Sequence, residues 1–573
     1  MSTNKDYNFF GMEDTRKQEV PLTEVEHIKE NSRFLRGTID ESLIDNITGA
    51  LRAADTHLIK FHGSYQQSDR DVESERKKQK LEPLYSFMIR IRVPGGIASP
   101  SQFLRIIELG DVYGNGTVKL TSRQAFQLHG VFKHNLKQTI RKINDTLLDT
   151  IAACGDVNRN VMCNPLSELS GIHNEVYTDA VRTSIHLTPH TKAYHEIWLD
   201  KQLVANTRDE DEEPIYGKTY LPRKFKMAFA IPPDNDVDIY ANDLGFIAIK
   251  DQGQLAGYNV VVGGGMGMTF GNADTYPRIA SNIGFIPKEM VLRVSEEVVK
   301  IQRDNGNRSD RKLARLKYTI DRLGLDWFIN ELQKRLGFKL QPWRPFTFTS
   351  NSDRYGWSRT TSGLWHLALF IEGGRIWDSN ALQLKKALVE IALIHNGDFR
   401  LTGNQNLVIA NISSSTKPRI TAILNRYGIN QASVFTGMRI NSLACVALNT
   451  CPLAFAEAER YLPSLIDKLE EILKENGLEK ESISIRMTGC PNGCARPYIA
   501  EIGLVGKSIG HYNLYLGGNT TGSRINVLYR ETLNEQQIIG ALSPIFKSFS
   551  QERMKNEPFG DFVIRRGIVS EES

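Results

Sequence analysis

Apolar and polar positions follow the same order at two places in the chain. From Phe87 to Val93 an apolar strand pattern runs into Gly95-Gly96, and Ser101 to Leu109 then returns apolar residues at helical spacing. His366 to Ile371, Gly373-Gly374 and Leu382 to Ile394 repeat that layout. Each is followed by a Leu-Thr-x-x-Gln run, Leu120 to Val131 (LTSRQAFQLHGV) and, 281 residues on, Leu401 to Ile412 (LTGNQNLVIANI). A second duplicated feature, Tyr258-Asn259 ahead of Gly263-Gly264, returns 254 residues later as Tyr512-Asn513 ahead of Gly517-Gly518. Unequal offsets in the same order describe duplicated modules separated by insertions, not a short-period solenoid.

The pattern predicts an α+β fold with a pseudo-two-fold axis: duplicated modules of mixed and largely antiparallel sheets, with helices, around a central site along the seam. One further helix is plain. Leu465, Leu469, Ile472 and Leu473 make one face, and Gly477 suits its C-terminal cap.

Composition narrows the class. With 573 residues, 40% hydrophobic and 24% charged, the chain has room for several domains with ordinary cores. No apolar run is long enough to cross a bilayer, and Met1 to Pro21 lacks the apolar stretch of a secretory signal. A reducing, cytoplasmic location is expected, where six cysteines favour metal or redox chemistry over disulfides. The net charge of +5 is too small to point to nucleic acid. Basic residues nonetheless gather at Arg76 to Lys80, which reads as a solvated face, at Arg90 with Arg92, at Arg223 to Lys226, and from Arg303 to Lys317. Gly263 to Gly267 is glycine-rich but lacks the strand–GxGxxG–helix order, so it reads as a turn and not as a nucleotide site.

The chemistry concentrates in four cysteines, Cys445 and Cys451 in one segment and Cys490 and Cys494 in another. Four thiolates from two neighbouring loops suit a cubane iron–sulfur cluster. Zinc is the competing reading, although the five-residue gap of the first pair is unusual for it. Cys154 and Cys163 read as small buried hydrophobes. His129 reads as a core histidine. The loop TGCPNGC (Thr488 to Cys494) bares backbone N–H groups that can bond to cluster sulfurs.

The chain resembles the sirohaem nitrite/sulfite reductase family, and its sulfite branch in particular. The residues that carry the resemblance are Asn441 to Arg460 (NSLACVALNTCPLAFAEAER) and Thr488 to Arg496 (TGCPNGCAR), with LRGTI at Leu35, FHGSYQQ at Phe61, NRNV at Asn158, YLPRKFK at Tyr220 and GDF at Gly560. They reach from one end of the chain nearly to the other. The resemblance implies an N-terminal arm (1–82), a first ferredoxin-like half-repeat (83–151), a first sirohaem-binding module (152–353), a second half-repeat (354–432) and a second module carrying the cluster site (433–573).

It also implies two cofactors, a [4Fe–4S] cluster on Cys445, Cys451, Cys490 and Cys494, and a sirohaem whose iron takes the Cys494 thiolate as axial ligand. Lys60, Lys119, Arg123, Arg223, Arg315 and Lys317 are the implied partners of the macrocycle's carboxylates. Lys60 and Lys119 depart from the arginine expected there, and lysine lacks the bidentate fork. Arg90, Arg159, Lys224 and Lys226 are the implied catalytic set for sulfite, the arginines orienting the oxyanion and the lysines supplying protons. Strand alternation would put Lys224 and Lys226 on one face and Arg223 on the other. Without a nucleotide fingerprint of its own, such a chain needs an electron donor. An NADPH-dependent flavoprotein is expected, in a hetero-oligomer, with a ferredoxin or a nitrite-reducing role as the alternative. A non-catalytic metal-binding module is the reading from another class.

Overall fold

The computed structural model describes residues 21–190, 197–199, 202–205, 213–380, 382–429 and 432–570. The first twenty residues, where a leader was sought, lie outside them. Among the described residues no helix is long and apolar enough to cross a membrane.

Two five-stranded antiparallel sheets form the base of the fold. One runs Ser64–Ser68, Tyr85–Ile91, Phe126–Val131, Val118–Leu120, Arg375–Ile376; the other runs Gly356–Arg359, Trp365–Leu369, Leu407–Ile412, Asp398–Leu401, Ile97–Ala98. Each therefore ends in a two-residue strand donated by the other half. Arg375 pairs with Lys119, and Ile97 with Arg400. The Gly-Gly turns make this exchange possible. Gly96 (φ +80°) and Gly374 (φ +67°) lie so close to the opposite half that an added Cβ would stand 2.5 Å from the Leu401 carbonyl and 2.6 Å from that of Leu120. The Gln of each Leu-Thr-x-x-Gln run takes a left-handed backbone, φ +50° at Gln124 and +67° at Gln405. One hydrophobic core spans both halves, with the rings of Phe103 and Phe399 stacked at 4.2 Å.

Two mixed sheets sit on this base. The first holds Met227–Ala230, Leu244–Asp251, Gln254–Val262 and Ser281–Pro287, and the second holds Ser442–Ala444, Ile485–Thr488, Ile502–Ser508, His511–Leu516 and Val527–Leu533. Parallel pairs occur at 227–230 with 244–251 and among the strands at 442–444, 485–488 and 502–508. The glycine-rich run after Val262 joins strand to strand with no helix, as the sequence led one to expect. The expected helix spans Leu462–Glu475, and Gly477 follows its end at φ +67°.

The strand Ser64–Ser68 falls inside the stretch assigned to the arm, yet it is the edge strand of the first sheet. Its sequence, SYQQS, lacks the apolar alternation that announces a strand. The exchanged strands likewise cross the boundaries expected between half-repeats, because two residues carry no period. The strand pattern assigned to Arg223–Lys226 begins only at Met227; Phe225 makes an isolated parallel bridge to Asn158 just before it.

Candidate redox and anion-binding site

The two halves position their side chains alike. Gln124 Nε2 donates to the Cys163 carbonyl at 2.8 Å, and Gln405 Nε2 to the Ala444 carbonyl at 3.0 Å. The backbone N–H of Lys226 donates to Asp243 at 2.9 Å, and that of Ser484 to Glu501 at 2.8 Å. These matched contacts make Asn404 the counterpart of Arg123, Ser484 of Lys226, and Ile440 of Arg159. One half carries cations at these positions; the other carries neutral residues around a small cleft.

On the cationic side, buried Asp243 holds Arg315 through both carboxylate oxygens, at 3.0 and 2.7 Å, while fixing the Lys226 backbone. Asp156 does the same for Arg311, at 2.7 and 2.8 Å. Burial alone would raise the Asp156 carboxyl, but Arg311 and Lys29 hold it well below the usual carboxylate range. Arg123 reaches Asn242 Oδ1 at 2.8 Å and the carbonyls of Asn160 and Met227 at 2.6 and 2.8 Å. Arg90 donates to Cys154 Sγ at 3.2 Å, and Arg159 to the Gly155 carbonyl at 2.9 Å. Lys317 is fully buried and bonds to the carbonyls of Gly265 (3.1 Å) and Gly267 (2.7 Å), so the glycine-rich run is a cation cradle. Lys60 lies 5.8 Å from the Tyr65 ring, on the side of Arg223, Arg311 and Asp156.

Several positive groups crowd one another, and the nearby Asp156, Asp243 and Asp321 offset them only in part. Lys224 is half-buried; burial, then Arg223 and Arg315, push its pKa down to about 7. Lys226 is driven well down by burial and by Lys224. Lys317 is pushed to about 7 by burial and Arg315, and Arg123 to about 9 by burial, Arg496 and Arg159. Arg223 falls to about 10 through burial and Arg311. The Nε atoms of Arg90 and Arg123 are buried with no partner. Leaving like charges so poorly compensated is costly unless a polyanion completes the set. The residues present therefore fit a macrocycle rich in carboxylates together with a small oxyanion.

The four cysteines form the other side of the site. Burial raises the thiols of Cys445, Cys451 and Cys490, and in each the next cause is Cys494, so all three lie within its field. Cys494 is the exposed member, and its sulfur lies in the field felt by both Lys224 and Lys226. Gly489 N–H points at Cys445 Sγ (3.4 Å), and the Asn492 amide at Cys490 Sγ (3.5 Å). Met268 N–H donates to the Pro491 carbonyl at 3.0 Å, joining the glycine-rich run to the cysteine loop. Among the described residues no three His, Cys, Asp or Glu side chains are grouped to hold a single metal ion. A cubane gives each iron its own thiolate and needs no such crowding.

Of the residues singled out from sequence, Arg90, Arg123, Arg159, Arg223, Lys224, Lys226, Arg315 and Lys317 are brought into one charged neighbourhood, with Lys60 at its border. Lys119 stands apart, paired with Glu459 near Cys445. Asp156, Asp243 and Arg311 were missed, as was the side chain of Arg496, although Arg496 closes the TGCPNGCAR motif. Cys154 is buried as expected but lies against a guanidinium, not in an apolar core. His129 is buried, its ring nitrogen 3.3 Å from Gln67 Oε1, and burial pushes its pKa down to about 3. Lys77, Lys78 and Lys80 are exposed in or beside the short helix Glu73–Lys78.

Residues 178–340 match the nitrite and sulphite reductase 4Fe-4S domain, and residues 79–145 and 358–427 match the nitrite/sulfite reductase ferredoxin-like half domain. The chain is 58% identical over 551 residues to the sulfite reductase (NADPH) hemoprotein beta-component of Anoxybacillus flavithermus, covering 96% of each. It is 56% identical to those of Staphylococcus saprophyticus and Geobacillus kaustophilus, again covering 96% of each chain. The Mycobacterium tuberculosis NirA protein shares the fold, with a TM-score of 0.76 at 24% identity over 95% of this chain and 96% of that one. The chain belongs to the nitrite and sulfite reductase family, and within it to the group of sulfite reductase (NADPH) haemoprotein beta-components.

Proposed function

We propose that this chain reduces sulfite to sulfide with six electrons, in the assimilation of sulfate toward cysteine, at a sirohaem coupled to a [4Fe–4S] cluster. The observation that carries the reading is the crowd of undercompensated cations beside Cys494. Cys445, Cys451, Cys490 and Cys494 would hold the cluster, with Cys494 shared with the haem. Arg123, Arg223, Arg315, Lys317 and Lys60 would meet the macrocycle's carboxylates, and Lys119 would act from the cluster side. When bound, the two groups would carry the donor's electrons to the anion.

The protein's own task is to bind the anion and move protons. Sulfur passes from +4 to −2 and three oxygens leave as water, so each S–O cleavage needs a proton at oxygen. Arg90 and Arg159 present guanidinium N–H groups to the oxyanion and neutralise it. Lys224, its charge restored once the polyanion is bound, carries a proton that it can give to oxygen, and Lys226 beside it can relay a second. Electrons would come from an NADPH-oxidising flavoprotein partner, in the cytoplasm. The test is the visible spectrum and iron content of the purified protein, followed by specificity constants for sulfite and nitrite. A preparation that never takes up sirohaem, or one that prefers nitrite, would overturn the reading.

A further inference from the structure

Lys119, the cation that stands apart, belongs to a second charged group. It lies in the strand Val118–Leu120, opposite Arg375 of the exchanged strand Arg375–Ile376. Both side chains turn to one carboxylate. Lys119 Nζ is 2.5 Å from Glu459 Oε2, Arg375 Nη2 contacts Glu459 Oε1, and Lys119 also donates to the Gly373 carbonyl. The three side chains are 1%, 16% and 11% exposed, so water screens them poorly. Glu459 comes from the segment between the two cysteine pairs, and its backbone N–H donates to the Cys445 carbonyl at 3.1 Å. Two positive charges and one negative are thereby fastened to the loop that bears Cys445, whose thiol lies within the field of Lys119.

We infer that Lys119, Glu459 and Arg375 are positioning residues that fix the charge around the cluster at Cys445, and so help set its reduction potential. Adding an electron to a cluster adds a negative charge, and iron–sulfur potentials respond to nearby charge and hydrogen bonding. A cation held there favours the reduced state, and an anion opposes it. Sign distinguishes this role from bracing: a mere brace responds to loss of the bridge, whichever partner is removed.

The inference rests on the assignment of Cys445 as a cluster ligand, which has its own check. Cys445→Ala that retains a full complement of iron would overturn the ligand assignment. For the triad, the midpoint potential of the cluster is measured by redox titration followed by electron paramagnetic resonance, on the full chain with its cofactors. Glu459→Gln should raise it, changing the reduction equilibrium about tenfold, or about 59 mV for one electron. Lys119→Met should lower it by a similar amount, and Lys119→Arg should leave it at the wild-type value. Should Glu459→Gln fail to fold, Arg375→Gln replaces it and must lower the potential as Lys119→Met does. Shifts in the same direction for Glu459→Gln and Lys119→Met, or no shift in variants with full iron content, would overturn the inference.

Discussion

Arg496 Nε lies 2.5 Å from Asp238 Oδ2, joining the cysteine-bearing module to the module of the basic residues. Its other two nitrogens donate to the Ser122 carbonyl at 3.0 Å and the Gly403 carbonyl at 2.9 Å, one in each half of the base. Arg486 adds a second contact to Asp238 at 2.6 Å. Four parts of the chain thus meet at one buried guanidinium, two residues after Cys494.

Removing one partner of this knot should be severe. Asp238→Asn leaves Arg486 and Arg496 buried without their counter-ion, and breaking such a pair typically costs about 3–5 kcal/mol. Denaturant unfolding of the variant should show a loss of that size. A loss under about 1 kcal/mol would mean that water reaches the site and Asp238 contributes little.

The basic residues ahead of Met227 should prove catalytic and not structural. Lys224→Met or Lys226→Met should lower the rate of sulfite reduction by about 10²–10⁴-fold, the range of a lost general acid. The visible spectrum and iron content should stay near wild type. A variant that loses its haem would show that the lysine supports the cofactor instead.

Cofactor uptake should depend on pH with a definite sign. In the cofactor-free chain Lys224 and Lys317 are held to about 7, chiefly by burial. A bound polyanion restores their charge, so binding must take up protons above that pH. Affinity for sirohaem should be flat below about pH 7 and fall above it, about tenfold per pH unit for each linked proton. Titration of the cofactor-free chain in buffers spanning pH 6 to about 9 measures this; an affinity that rises with pH would contradict it.

The strand exchange offers a test of the seam. Gly96→Ala puts a methyl 2.5 Å from the Leu401 carbonyl on a backbone with φ +80°, where nothing flexible can yield. Gly171→Ala meets nothing within 4 Å and has an ordinary backbone. Thermal unfolding should show the first strongly destabilised, by about 1–3 kcal/mol or more, and the second close to wild type. Equal effects would remove the close approach at Gly96 from the account.

Much of this was legible in the sequence because duplication leaves a pattern that two copies state twice. The Leu-Thr-x-x-Gln runs announced the halves, and the cysteine spacing announced a metal centre, which the family resemblance turned from cluster or zinc into a cluster. The exchanged strands were not legible, since two residues have no period and their partners lie in the other copy. Asp156 and Asp243 were hidden for another reason. A carboxylate that orders cations looks, in one dimension, like any surface acid. Lys119 was misleading in a similar way: its charge is visible in the sequence, but the partner that claims it is 340 residues away.

The matched contacts at Gln124 and Gln405 also bear on how the molecule discriminates. A scaffold with true two-fold symmetry would offer an anion two equal berths. Here Asn404, Ile440 and Ser484 stand where the other side has Arg123, Arg159 and Lys226, so the symmetric backbone encloses an asymmetric field. Under the proposed function an incoming oxyanion would be drawn to the face of Arg123, Arg159 and Lys226, because on the other face the cation lining the cleft, Arg486, is already paired with Asp238. The second half meets the first through the same glutamine contact but offers no cation at these three positions.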